Sequence, residues 1–395
     1  MVDEEPALGL VLTGGGARAA YQVGVLKGIA ELLRRGAACP FQIITGTSAG
    51  AVSALALASD AAHFKHAVYA IERVWREFRV HHVIRADARS VLKSGLHWMS
   101  ALLTGGRLVQ PPRSLFDNTP LWELLRKNVN FDTIPRGLYK RHLRAIGICA
   151  TSYSDADSHT FYASASAIEP WTRASRKGTR VQLTLEHLMA SLAMPFLFRP
   201  VHLRQQYFGD GSMRQTSPLS PAIHLGANRL LVIGVNEPSV TGLGMVNPNA
   251  EPTFGQMLGF MLDSLFMDQM LSDLERIRAA NEDPAVRRID CLLLTPSRDL
   301  GEIARRHRQE LPRSLRALLG TMGANNSAGT QLLSYLLFER GYTRELIALG
   351  QSDARSRADE IRAFLAEGRV RLSDASAPSW GPRRNGTENR VKDRR

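Results

Sequence analysis

Cysteine is scarce in this chain. Three occur in 395 residues, Cys39, Cys149 and Cys291, far apart and without C-x-x-C spacing, which argues against a disulfide framework or a structural zinc site. No uninterrupted apolar run reaches the roughly 18 residues of a membrane-spanning helix. The first residues, Met1-Val2-Asp3-Glu4-Glu5-Pro6, are acidic and lack the basic-then-apolar order of a signal peptide, so a cytoplasmic chain is expected. Acidic side chains are in the minority: 37 Asp and Glu against 50 Lys and Arg leave a net charge of +13. Such a balance points to an anionic partner. No nucleic-acid motif accompanies the charge. The expected partner is therefore an anionic membrane, touched peripherally at its inner face, and no nucleic acid. The composition sets no oligomeric state.

The most informative stretch is Gly46-Thr47-Ser48-Ala49-Gly50. It follows Phe41-Gln42-Ile43-Ile44-Thr45, which reads as a short buried strand. It precedes the alanine-rich run Ala51 to Ala58, which reads as a buried helix. Ser48 thus sits at a strand-to-helix turn in the pattern G-x-S-x-G, the signature of a nucleophile elbow. Gly46 and Gly50 remove side chains that would collide in so tight a turn. The N-terminus of the following helix favours negative charge. The alternative is a glycine-rich turn with a capping serine.

A second glycine-rich loop lies upstream. Leu8 to Leu12 reads as a buried strand, followed by Thr13-Gly14-Gly15-Gly16-Ala17-Arg18 and then a helix with Tyr21, Val25, Ile29 and Leu32 on one face. Gly24 and Gly28, four apart on that helix, suggest close packing against a sheet. Gly14, Gly16 and Ala19 match a weak dinucleotide fingerprint, G-x-G-x-x-A. That reading expects an acidic residue ending the second strand, where the Ser48 elbow stands instead. A phosphate loop would need Gly-Lys-Ser/Thr, which is absent. What remains for the Gly14, Gly15 and Gly16 backbone is an oxyanion hole, with N–H groups aimed at developing negative charge.

His63, His66, His81 and His82 lie in or after a helix over 61–79 and read as surface residues, with no carboxylate or cysteine to complete a metal site. Residues 90–116, with Trp98 and several leucines among loop formers, could form a cap that meets lipid. A helix over 183–193 leads into Met194-Pro195-Phe196, and a short strand ends at Gly209-Asp210-Gly211-Ser212. After about residue 237 the character changes to long helical patterns rich in Leu, Phe and Met, including Phe260, with one further strand over 288–294. The tail from Ser373 has no apolar periodicity and is expected to be disordered. The expected units are a core over 8–236, a mostly helical C-terminal extension over 237–370, and a basic tail over 371–395.

The Gly14–Arg18 loop, the Gly46–Gly50 elbow, the run Ala190-Ser191-Leu192-Ala193-Met194-Pro195 and Asp210-Gly211 together resemble the patatin-like phospholipase family. Two positions depart from its pattern: Ala19 and Ser212 stand where the family usually has glycine, or glycine or alanine. The resemblance implies an α/β fold, a three-layer α/β/α sandwich around a parallel-dominated sheet. It also implies a Ser–Asp dyad, with Ser48 as nucleophile and Asp210 as base, and no metal or other cofactor. Arg18 would strengthen the oxyanion site or hold a lipid phosphate. The implied reaction is hydrolysis of acyl esters of phospholipids or lysophospholipids. An acyltransferase using the same acyl-enzyme, or a non-catalytic basic membrane-surface protein, is the alternative. An ordinary triad would instead need a histidine after the acid, for which His224 and His307 are available.

Overall fold

A computed structural model describes residues 7–85, 114–236, 268–321 and 330–367, with 253, 257, 259–262 and 264 between them. The stretch around Trp98 expected to form a cap, apart from its last residues, and the tail from Ser373 lie outside the described residues. No helix among the described residues is long and apolar enough to cross a membrane.

In chain order the first half comprises β1 (Ala7–Leu12), α1 (Ala20–Leu32), β2 (Ile43–Thr47), α2 (Ala49–Ser59), α3 (Phe64–Arg76), α4 (Thr119–Asn128) and α5 (Ile134–Tyr139). Then come β3 (Ala145–Ser152), β4 (Ser158–Ser164), β5 (Trp171–Arg173), β6 (Arg176–Arg180), α6 (Leu185–Ser191), β7 (Val201–Leu203) and β8 (Gln206–Asp210). The chain continues with α7 (Ser220–His224), β9 (Ala227–Ile233), α8 (Asp268–Ala280), β10 (Asp290–Leu294), α9 (Leu300–His307) and α10 (Arg313–Thr321). It closes with α11 (Thr330–Leu336), α12 (Arg340–Ser356) and α13 (Ala358–Glu367).

One sheet collects every strand among the described residues, in the order β10-β9-β1-β2-β3-β4-β6-β5, with the β7–β8 hairpin joined to β3. The five strands from β10 to β3 run parallel. The period-2 alternation of a strand sorts their side chains between two cores. Leu8, Leu10, Leu12, Ile44 and Ile146 pack on one face with α1, α2, α3 and the C-terminal helices. Ala7, Val11, Ile43 and Ala145 pack on the other with residues of α7 and α8. The result is the expected three-layer α/β/α sandwich.

The region set apart in the sequence as a C-terminal extension is built into this core. β10 pairs in parallel with β9, and α12 lies directly on α1. A Cβ at Gly24 would strike the Ile347 carbonyl, one at Gly28 the Ala354 methyl, and one at Gly350 the Tyr21 carbonyl. These glycines therefore serve a helix–helix contact, not the helix–sheet contact their spacing suggested. The periodicity identifies a close approach but not the partner.

Candidate functional site

Open parallel sheets present their sites beyond the carboxyl ends of the strands, and the motif residues gather there. The glycine loop leaves the end of β1, Ser48 leaves the end of β2, and Asp210 ends β8. In the sheet Asp210 is opposite Ala150 near the end of β3.

Ser48 has φ 52 and ψ −127 and caps α2. A non-glycine residue at positive φ stores about 1–3 kcal/mol of strain, a common feature of functional turns. The glycines around it answer close approaches. A Cβ at Gly46 would lie 2.6 Å from the Gly50 carbonyl oxygen, and one at Gly50 would strike the carbonyl oxygen of Leu12. The Ser48 backbone N–H donates to Ser191 Oγ at 2.9 Å. Ser191 belongs to the Ala190–Pro195 run, but its tie to the elbow was not legible in sequence.

The Ser48 hydroxyl donates to Asp210 Oδ2 at 2.6 Å. The other carboxylate oxygen, Oδ1, accepts the Ser212 backbone N–H at 2.9 Å, and the Asp210 N–H donates to Ala193 O at 2.8 Å. A Cβ at Gly211 would strike the Cys149 carbonyl oxygen, so glycine lets the turn press against β3. Asp210 is 1% exposed. Burial pushes its carboxyl up from 3.8 to about 6, against the opposing pull of the Ser48 and Ser212 hydrogen bonds.

Gly16 has φ 53, a left-handed conformation that favours glycine, and it lines the same cavity as Ser48 and Asp210. Gly14 lines a separate small pocket together with Thr47 and Ser212, and a Cβ at Gly15 would meet Val235. Arg18 is 3% exposed. It donates through Nε to Ser334 Oγ at 2.7 Å and through Nη1 to the Tyr335 hydroxyl at 3.0 Å, and it also bonds Asn236 and Gln331. The guanidinium is thus turned into the C-terminal helices, a placement that fits the expected phosphate contact poorly.

The cavity beside Ser48 holds about 440 Å³. Ala49, Val52, Ala56 and Ser59, one face of α2, line it from end to end. Ile71, Trp75 and Phe78 of the α3 region, Leu121 and Leu125 of α4, and Leu197, Leu336 and Phe338 add apolar wall. Eleven residues of α2 span about 16 Å at 1.5 Å per residue. The cavity is a mostly apolar channel along α2, with the serine and carboxylate beside the start of that helix and Asp60, His66, Asn128 and Thr133 among its polar lining.

Neither histidine available for a triad lies in that channel. His224 stacks on Trp171 with centroids 5.0 Å apart, and His307 bridges Glu310 at 2.6 Å and Glu345 at 2.7 Å. His63 and His66 share a carboxylate partner that the sequence did not single out: Asp60 lies 2.9 and 2.5 Å from their ring nitrogens. No cluster of three or more candidate ligands able to hold a metal occurs among the described residues.

A serine on a strand-to-helix elbow beside a buried carboxylate, at the carboxyl edge of a largely parallel sheet, defines an α/β protein of the nucleophile-elbow class. The family model for patatin-like phospholipases matches residues 10–223, more than half of the chain, and the protein belongs to that family. Among curated proteins none matches the chain. Of solved structures, it is similar to human GIVD cytosolic phospholipase A2 in complex with methyl gamma-linolenyl fluorophosphonate, at 12% identity over 91% of this chain and 59% of that one, with a TM-score of 0.44. It is also similar to VipD from Legionella pneumophila, at 13% identity over 84% and 66%, with a TM-score of 0.28. The chain thus spans about three fifths to two thirds of the length of these proteins.

Proposed function

We propose that the protein is a serine acyl hydrolase that cleaves acyl esters of phospholipids or lysophospholipids through an acyl-Ser48 intermediate. The observation that carries this reading is the 2.6 Å hydrogen bond from Ser48 Oγ to Asp210 Oδ2 at the end of an apolar channel lined by α2. Family membership supports the same substrate class.

In this reading the fatty acyl chain lies along α2 and its ester carbonyl meets Ser48. Ser48 Oγ attacks the carbonyl carbon while its proton passes to Asp210 Oδ2. The carbonyl electron pair moves onto oxygen, and backbone N–H groups of Gly14, Gly15 and Gly16 stabilise that oxyanion. Removing one such donor typically costs about 3 to 4 kcal/mol. Collapse re-forms the carbonyl and breaks the bond to the glycerol oxygen, which takes the proton from Asp210. Water then attacks the acyl-Ser48 carbonyl, giving a proton to Asp210. The second collapse returns that proton to Ser48 Oγ and releases the fatty acid. An acceptor alcohol in place of water would make the same intermediate a transferase.

The test is a fluorophosphonate probe with purified protein. The wild type should label at Ser48 and hydrolyse a nitrophenyl ester and a lysophospholipid, and folded Ser48→Ala should do neither. Near-wild-type turnover by Ser48→Ala would end the hypothesis.

A further inference from the structure

The glycine loop is held from a part of the chain beyond the 10–223 span of the family match. Arg18 lies two residues past Gly16 in a single 3-10 turn, Gly16–Ala19, and its N–H donates to Gly15 O at 3.0 Å. Whatever fixes the Arg18 side chain therefore fixes Gly15 and Gly16. Beside a bond to Asn236, just after β9, that side chain is held by α11. The guanidinium carbon sits 3.9 Å above the centre of the Tyr335 ring, Nη1 donates to the Tyr335 hydroxyl at 3.0 Å, Nε donates to Ser334 Oγ at 2.7 Å, and Nη2 donates to Gln331. The backbone of α11 closes on the loop as well, because a Cβ at Gly16 would collide with the Tyr335 carbonyl oxygen. Tyr335 is 1% exposed and shares the channel wall with Gly16, Ser48 and Asp210.

We propose that Tyr335, through Arg18, is a positioning residue for the glycine loop, so that α11 is part of the active site. The inference rests on the reading of that loop as the oxyanion site. Consecutive glycines have the widest backbone freedom of any sequence, whereas oxyanion donors stabilise a transition state only when held within about 0.5 Å of the productive geometry. A stretch of Gly14-Gly15-Gly16 cannot supply that rigidity itself. The ring and the hydroxyl of Tyr335 supply it together: the ring face attracts the guanidinium, and the hydroxyl fixes its rotation.

The test compares Tyr335→Leu, Tyr335→Phe and wild type, each checked for folding by circular dichroism and melting temperature. The readouts are kcat and KM on a short-chain nitrophenyl ester, which makes little use of the channel wall, and the rate of fluorophosphonate labelling at Ser48. Tyr335→Leu should lower kcat and the labelling rate about 10- to 100-fold, less than the roughly 100- to 1,000-fold seen when an oxyanion donor is itself removed, because the N–H groups remain but are held less firmly, with KM within about threefold. The pH at which activity rises should not move, since Asp210 is untouched. Tyr335→Phe keeps the ring over the guanidinium and should restore most of the rate. If Tyr335→Leu does not fold, the double variant Gln331→Ala/Ser334→Ala removes two of the acceptors through which α11 holds Arg18 while Tyr335 stays, and should show a smaller kcat loss in the same direction at near-constant KM, with no loss overturning the role of α11. A rise in KM with kcat unchanged would mean that Tyr335 only lines the channel, and would overturn the proposal, as would a labelling rate within threefold of wild type. Absence of Ser48 labelling in the wild type would instead refute the hydrolase reading itself.

Discussion

Burial holds the Asp210 carboxyl near 6 where an aspartate is ordinarily near 3.8, and two consequences follow with opposite signs. For reactivity the shift is favourable, because a base is most effective when its pKa approaches the working pH. Activity should rise as pH climbs through about 6, where Asp210 loses its proton, and this rise should be absent from Asp210→Asn. Asn is nearly isosteric and still accepts from the Ser212 N–H, but it cannot take the Ser48 proton, so labelling should fall by orders of magnitude in a folded protein. For stability the shift is unfavourable. The folded state binds this proton more tightly than the unfolded chain, so the contribution of Asp210 to stability is greatest below about pH 4 and is lost as pH rises through about 6. Raising this carboxyl from 3.8 to about 6 corresponds to about 3 kcal/mol. Asp210→Asn should therefore be more stable than wild type at pH 8, with the gain shrinking toward pH 4. Urea denaturation at both pH values measures this. Equal stabilities at pH 8 would show that the carboxylate is not desolvated, and labelling within about threefold of wild type would leave Ser48 without a base.

Helix α2 does two things at once: its first turn sets Ser48 over the sheet, and one face of small residues, Ala49, Val52 and Ala56, forms the channel floor. The distance from Ser48 along that face sets how much acyl chain can be buried. A bulky residue at Ala56 would close the last turn of the helix, about 5 Å, or room for about four methylenes. At about 0.8 kcal/mol per buried methylene, the loss is about 3 kcal/mol, or about a hundredfold in kcat/KM. Ala56→Trp should therefore lower kcat/KM for long-chain nitrophenyl esters by about that factor while sparing short-chain ones. A uniform loss across chain lengths would show that the acyl chain lies elsewhere. This element was legible in the sequence because its signals are local: strand, glycine-spaced serine and alanine-rich helix lie within about 20 residues. Asp210 was legible because its dipeptide and preceding block are local too. Ser191 and Tyr335 were not, since their partners lie 143 and 317 residues away and no periodicity encodes so distant a contact. The glycines of α1 announced a close approach, but only the fold shows α12 filling it.

At the scale of the whole molecule, the channel has to be reached from where its substrate resides, and one exposed residue next to its wall bears on that. Met194, Leu197 and Phe198 line the channel, while Phe196, between them, has φ 65 and stands 71% exposed. Positive φ is unusual for an aromatic residue, and here it turns one side chain of an apolar run outward. With a net charge of +13, we infer a protein drawn to anionic bilayers by charge and seated by an apolar contact at Phe196, between residues of the channel wall. The lipid-meeting cap read from the sequence near Trp98 lies outside the described residues, and Phe260, in the apolar helical pattern after residue 237, is 52% exposed. Each basic residue near an anionic surface contributes about 1 kcal/mol, and the attraction is screened over about 10 Å at 0.1 M salt. Cosedimentation should therefore be stronger with vesicles containing phosphatidylserine than with neutral ones, and should weaken as salt rises from 0.05 to about 0.5 M. Phe196→Ser should reduce the bound fraction at every salt concentration while leaving turnover of a soluble short-chain ester within about threefold, because Phe196 does not line the channel. Equal sedimentation with neutral and anionic vesicles at low salt would remove the electrostatic part of this claim, and unchanged binding of Phe196→Ser would remove the apolar part.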